Sequence, residues 1–160
     1  MKEEPRKEHQ WLQKLVGEWT LEGDGFAEPG KPSQEVQWSE SVRSLGGLWV
    51  VAEGRGDMPG CGPSTTLMTI GFDPAKDKYV GTFVGSMMTC LWVYEGALDA
   101  ARRVLSLEAE GPNMAVPGTT AKYKDVMEFK DDNHRVLTSH MLGDDGQWQV
   151  FMTASYRRKK

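Results

Sequence analysis

Apolar and polar residues alternate with a period of two along most of this chain. Segments rich in Val, Thr, Trp, Tyr and Phe recur between turn clusters, among them Pro29-Gly30-Lys31-Pro32, Gly46-Gly47, Pro59-Gly60-Cys61-Gly62-Pro63, Asp73-Pro74, Asp131-Asp132-Asn133 and Asp144-Asp145-Gly146. Their spacing predicts about ten strands. One stretch follows another period: Trp11, Leu12, Leu15 and Val16 fall at helical spacing, which predicts a short amphipathic helix over Glu8 to Val16. Connections this short join antiparallel neighbours only, because parallel pairs need long crossovers. A meander of that many strands has a free edge at each end, and closure into a barrel removes both. Residues 1–160 are therefore expected to form one all-β domain, an antiparallel up-and-down barrel of about ten strands with an N-terminal helix plugging one end.

Strand parity assigns faces. In "LVGEWTLEGDGF", Gly17, Trp19, Leu21 and Gly23 share one face while Glu18, Thr20 and Glu22 share the other. Trp19 then forms the barrel floor beneath the helix, and Gly17 lets the chain turn tightly from helix into strand. Val36, Trp38, Glu40 and Val42 fall together, as do Tyr123, Asp125, Met127 and Phe129, so two carboxylates are expected inside. A buried carboxylate must be paired, protonated or hydrogen-bonded, and Arg43, Arg157 or tyrosines are the partners considered. Val136, Thr138, His140 and Leu142 make a third such face, with Leu137 and Met141 competing for the same register. Met88, Cys90, Trp92 and Tyr94 share a fourth, and Met152 lies near the end. Methionine adapts its shape, and walls rich in it suit varied apolar ligands.

Composition narrows the classes. With 39% hydrophobic and 26% charged residues the chain lies far from the disordered corner, and a net charge of -4 argues against nucleic acid. Basic residues gather in Arg157-Arg158-Lys159-Lys160, which reads as a solvated end. The start has no signal-peptide core and no apolar run reaches membrane-spanning length, so a cytoplasmic protein without membrane contact is expected. Cys61 and Cys90 form no CxxC and read as free thiols, Cys90 buried in the core.

Most candidate chemistry does not survive inspection. His134 and His140 stand about 20 Å apart along a strand, too far to share a metal ion. Ser139 and His140 are strand neighbours and point to opposite faces, which excludes a nucleophile and base pair. "GRGDMPG", from Gly54 to Gly60, reads as a hairpin loop that leads from strand to strand and lacks the helix a phosphate cradle needs. The pairs Asp131-Asp132 and Asp144-Asp145 lack the alternating ligands of a calcium loop and read as turns.

The helix followed by Gly17-Glu18-Trp19 resembles the opening of the calycins, the group of lipocalins, fatty-acid-binding proteins and nitrobindin-like barrels. The stretches "RSLGGLWVVAEG", "LMTIGFDPAKDKYVGTFVGSMM", "LWVYEG" and "FMTASYRRKK" resemble a bacterial family of unknown function within that group, over almost the whole chain. The resemblance implies the barrel and supplies no activity. Members of that family often carry a histidine where this chain has Cys90, and another where it has Ser155. Haem barrels of the nitrobindin type bind iron through a histidine of the last strand, and Gln147 to Arg158 contains none, so no haem or other cofactor is expected.

The expected function is binding of a small, mostly apolar molecule inside the barrel. Trp38, Met88, Trp92, Met127 and Met152 would supply contact area, and Glu40, Tyr123, Asp125 and His140 would orient the ligand. Two alternatives stand beside it: an enzyme using Glu40 and Asp125 as acid and base, and a filled barrel that dimerises through an outer face.

Overall fold

The computed structural model describes residues 1–22, 30–31 and 36–160. A helix, α1 (Lys7–Leu12), runs into a single 3-10 turn (Gln13–Leu15). Ten strands follow: β1 (Gly17–Leu21), β2 (Trp38–Leu45), β3 (Trp49–Met58), β4 (Gly62–Asp73), β5 (Lys78–Gly85), β6 (Trp92–Leu98), β7 (Val104–Pro112), β8 (Thr120–Asp131), β9 (His134–Leu142) and β10 (Trp148–Arg158). Each pairs antiparallel with its chain neighbours, and β1 pairs with β10 through Trp19↔Arg158 and Leu21↔Tyr156. The described strands thus form a closed barrel, with the closing pairs confined to Trp19–Leu21 of β1. Gly23, Pro29 and Pro32 lie outside the described residues.

The helix seals one end because its apolar side faces the barrel and its polar atoms find fixed partners. Trp11, Leu12 and Leu15 are buried against Phe72, Tyr79 and Phe129. The His9 ring accepts the Arg6 backbone N–H through Nδ1 at 2.9 Å, which leaves Nε2 to donate to the Phe72 carbonyl at 3.0 Å. Tyr79 donates to the Glu8 carbonyl at 3.0 Å, and the Trp11 indole to the Arg102 carbonyl at 2.8 Å. Three side chains thus bolt a helix of six residues, too short to be stable alone, onto the sheet.

The Gly17-Glu18-Trp19 corner has a more specific basis than a tight turn. Gly17 has φ +136°, and a Cβ there would stand 2.5 Å from Nη1 of Arg158. That guanidinium lies 4.3 Å from the centre of the Trp19 ring and donates to the carbonyls of Val16, Lys14 and Asp132. Glycine makes room for the arginine that covers the tryptophan. Arg158 therefore belongs to the sheet, and the solvated tail expected from Arg157 is reduced to its last two residues.

Two further expectations are corrected here. Arg55-Gly56-Asp57 lies within β3, and the turn is confined to the residues around Gly60. Cys90 sits in the connection before β6 and is half-buried rather than in the core, because the strand begins only at Trp92. Among the described residues no helix is long and apolar enough to cross a membrane.

Candidate ligand-binding site

The register fixes which side chains face inward. Starting from buried Trp19, the pairings carry the inner face through Trp38, Glu40 and Val42 on β2, Ala52 and Gly54 on β3, Thr66 and Met68 on β4, and Phe83 on β5. It continues through Trp92 and Tyr94 on β6, Leu107 on β7, Asp125 and Met127 on β8, Ser139 on β9 and Met152 on β10. The two predicted carboxylates both face inward.

Each has its own partners. Asp125 Oδ2 accepts from the Tyr94 hydroxyl at 2.6 Å, and Oδ1 accepts from the Ser139 hydroxyl at 2.6 Å. Glu40 is paired with Arg135, whose side chain is 1% exposed. The Arg135 guanidinium is wedged between aromatic rings, 4.6 Å from the centre of Trp19 and 4.3 Å from that of Tyr156. Tyr156 in turn takes a hydrogen bond from Trp38. A layer of charge and aromatic rings thus lies directly above the floor.

His140 does not join this set. The inner face of β9 is Arg135, Leu137, Ser139 and Met141, so His140 stands on the outer face, where Nδ1 lies 3.2 Å from the Lys124 carbonyl. The cause is a bulge: pairing between β8 and β9 slips between Phe129 and Asp131 and sets Phe129 against Arg135. The alternate face Val136, Thr138, His140 and Leu142 is therefore the outer one, and Val136, Thr138 and Leu142 leave the expected lining with it. Met88 lies in the β5–β6 connection at the rim, where the Trp92 indole donates to its sulfur at 3.2 Å. Ser155 likewise faces outward, opposite Val136, with its hydroxyl 2.7 Å from His134 Nε2. A side chain at position 155 does not reach the interior.

The end away from the helix carries a cluster of aromatic rings. Trp92 and Tyr123 meet edge to face with centroids 5.0 Å apart, and Tyr123 meets Phe151 in the same way at 6.0 Å. Phe151 reaches this cluster because a bulge between Val150 and Met152 turns it toward the interior. The Tyr123 hydroxyl donates to the Pro112 carbonyl at 2.5 Å and accepts from the Met114 N–H at 3.2 Å, tying the β7–β8 loop to the rim. Trp92 lies flat against the β7 wall: a Cβ at Gly111 would come within 2.2 Å of its ring.

Between rim and floor, Met68, Phe83, Asp125, Leu137 and Met152 are only half-buried although they face inward. They are inward-facing side chains that the fold leaves partly uncovered. Met127 and Trp38, by contrast, are buried and pack with the floor.

The outer face offers less. A groove of about 680 Å³ crosses β5 to β8, lined by Lys78, Val93, Glu95, Glu108 and Lys122. Val93, Ala97 and Ala109 lie among these charged side chains, and the groove is open on the outside of the wall. Beside it Leu67, Val84, Leu91 and Val93 are exposed, with Leu67 and Val84 directly paired. Among the described residues no group of His, Cys, Asp and Glu is placed to hold a metal ion.

Burial pushes the hydroxyls of three interior tyrosines above their usual ionisation range. Tyr79 is pushed up to about 12, first by burial and then by Glu8. Tyr94 is driven higher still by burial and the Asp125 charge, and Tyr156 by burial and Glu40. Unfolded tyrosines ionise near 10, so between pH 10 and 12 the unfolded chain releases protons that the fold retains. Stability is expected to be insensitive to these groups below pH 10 and to fall as pH rises above it. Tyrosinate absorbance followed with near-ultraviolet circular dichroism checks this. Ionisation of these three residues should coincide with loss of tertiary structure, and their ionisation in the intact fold would contradict it.

A family model described as "Protein of unknown function (DUF1579)" matches residues 4–158. The chain belongs to the DUF1579 family. No curated protein matches it. Among solved structures, this DUF1579 protein is similar to Rv2717c from M. tuberculosis, at 13% identity and a TM-score of 0.60, over 98% of this chain and 100% of that one. It is also similar to the S-type phycobiliprotein lyase CPES from Guillardia theta, at 12% identity and a TM-score of 0.55, over 98% and 99% of the two chains. At such identities the likeness is one of fold. What the DUF1579 barrel does must be argued from its own interior.

Sequence reasoning missed Arg135, Ser139 and Tyr156, and treated Tyr94 only as a face-mate of Trp92. The signal for Arg135 and Ser139 was present as the face that also carries Leu137 and Met141. Both faces of β9 carry two apolar residues, so alternation alone could not choose between them.

Proposed function

We propose that this protein binds a small, mostly apolar molecule inside a calycin-like barrel. The observation that carries this reading is the set of half-buried methionine, leucine and phenylalanine side chains around Asp125 on the inner face of a barrel plugged at one end by the helix. Such side chains gain from burial only if something fills the space they face, at about 25 cal/mol per Å² of apolar surface covered. Tyr94, Asp125 and Ser139 supply the few polar atoms that orient a ligand in an otherwise apolar site. Trp92 and Tyr123 form the entrance. The lyase named among the structural neighbours is an enzyme on a similar fold, and at 12% identity it lends no substrate to this chain.

Native mass spectra of protein freshly purified from cells, compared with the denatured mass, test the proposal. A reproducible noncovalent adduct that disappears on denaturation is expected, and Trp92→Ala should weaken its retention. A bare native mass, together with no retention of any added apolar probe, would count against it.

A second reading is favoured by the outer patch of Leu67, Val84, Leu91 and Val93, which suits contact between two copies of the barrel. The same spectra report it: a dimer lost on Val84→Lys would support the outer face as an interface.

A further inference from the structure

The two carboxylates of the inner face are not both paired with a cation. Among the described residues the central layers carry Glu40, Asp125 and Arg135, and Arg135 is already engaged with Glu40; Arg158, against the Trp19 ring at the floor, donates to the backbone carbonyls of Val16, Lys14 and Asp132. Asp125 is held by two hydroxyl groups and by no ion pair. The eleven residues outside the described set, 23–29 and 32–35, read "GDGFAEP" and "PSQE" and contain no Lys, Arg or His. No cation in them can complete the pair.

Asp125 keeps room for further donors. Each carboxylate oxygen accepts one bond, and each has a second lone pair. The residue is half-buried and turned toward the lumen, so those lone pairs are within reach of a ligand. Tyr94 cannot relieve the charge by competing as a base, because burial and Asp125 itself hold its hydroxyl protonated. The aromatic cluster of Trp92, Tyr123 and Phe151 supplies ring faces that attract a cation on its way past the rim. An anion meets the opposite situation. Arg135 is 1% exposed, paired, and covered by Trp19 and Tyr156, so a carboxylate or phosphate head finds no accessible partner there.

We infer that the interior selects an apolar molecule bearing a cationic nitrogen, an alkyl or arylalkyl amine or a protonated nitrogen heterocycle, whose N–H groups bond Asp125 beside Tyr94 and Ser139. This rests on the interior-binding reading above and assigns the head group to it. The neighbouring hydroxyls hold the carboxylate in position, and the methionine and aromatic wall covers the apolar body.

Three probes that share one body and differ in the head test the inference: phenylbutylamine, phenylbutanol and phenylbutanoate, titrated calorimetrically into the full chain at neutral pH. The amine is expected to bind about tenfold tighter than the alcohol, and the acid weakest. Asp125→Asn should abolish the preference for the amine while leaving the alcohol nearly unchanged, and Tyr94→Phe, which retains the charge, should preserve it. Equal binding of all three, tighter binding of the acid, or a preference that survives Asp125→Asn would overturn the inference while leaving an apolar interior site intact. No binding by any probe, with a bare native mass, would remove both. Should Asp125→Asn fail to fold, the order of the three heads on the unaltered chain decides alone.

Discussion

Trp19→Ala is expected to cost about 3–5 kcal/mol of folding stability, near the upper end for a buried aromatic. Trp19 is fully buried, and its indole donates to the Leu15 carbonyl at 2.8 Å, so truncation removes both a packing unit and the link between the 3-10 turn and β1. It also strips a ring from Arg135 and Arg158, which lie 4.6 and 4.3 Å from its centre. Phe129, 6.4 Å away edge to face, is too far to close the gap without moving the helix. Urea unfolding should show a lower midpoint with an unchanged slope. Trp19→Phe, which keeps a ring and loses only the N–H, should recover a substantial part of the loss. A loss below about 1 kcal/mol for the alanine variant would mean that the floor does not depend on this side chain.

The second large effect concerns the ion pair above that floor. Arg135→Met is expected to cost about 3–5 kcal/mol, mostly because Glu40 is left without its cation. The Glu40 side chain is 18% exposed, so solvation offsets part of the penalty and the lower end of that range is expected. Glu40→Leu together with Arg135→Met should then restore most of the stability, since an apolar pair of similar volume replaces the charges without stranding either. A double-mutant cycle measures this directly, and strictly additive losses would show that the two side chains do not act as a pair. The cycle also bears on the interior site, because it removes Arg135 while leaving Asp125 and its two hydroxyl partners in place.

The alternation of residues determined the barrel. Ten strands joined by short connections can only meander, and Trp19, Trp38, Glu40, Tyr123, Asp125 and Met127 were placed on the inner face by parity within strands whose apolar face is unambiguous. The helix was legible for the same reason, since its apolar period differs from that of everything after it. Tertiary structure decided what parity cannot carry across a turn. The bulge between Phe129 and Asp131 turned β9 so that Arg135 and Ser139 entered the barrel and His140 left it. One inserted residue reverses every side chain of a strand, and nothing in the local composition of β9 records it.

Partnership was hidden in the same way. Glu40 meets Arg135 across 95 positions of chain, and Asp125 meets Tyr94 across 31, so the groups that satisfy the two carboxylates are neighbours only after the sheet closes. Arg158 looked like part of a charged tail because its neighbours are charged, yet its contacts are the Trp19 ring and backbone carbonyls brought within reach by the pairing of β10 with β1. The sequence by itself determined which faces are apolar and that carboxylates stand among them. Closure of the barrel decided which of those carboxylates meets a cation and which is held by hydroxyl groups alone, because charge pairing depends on distance in space and alternation reports only position along a strand.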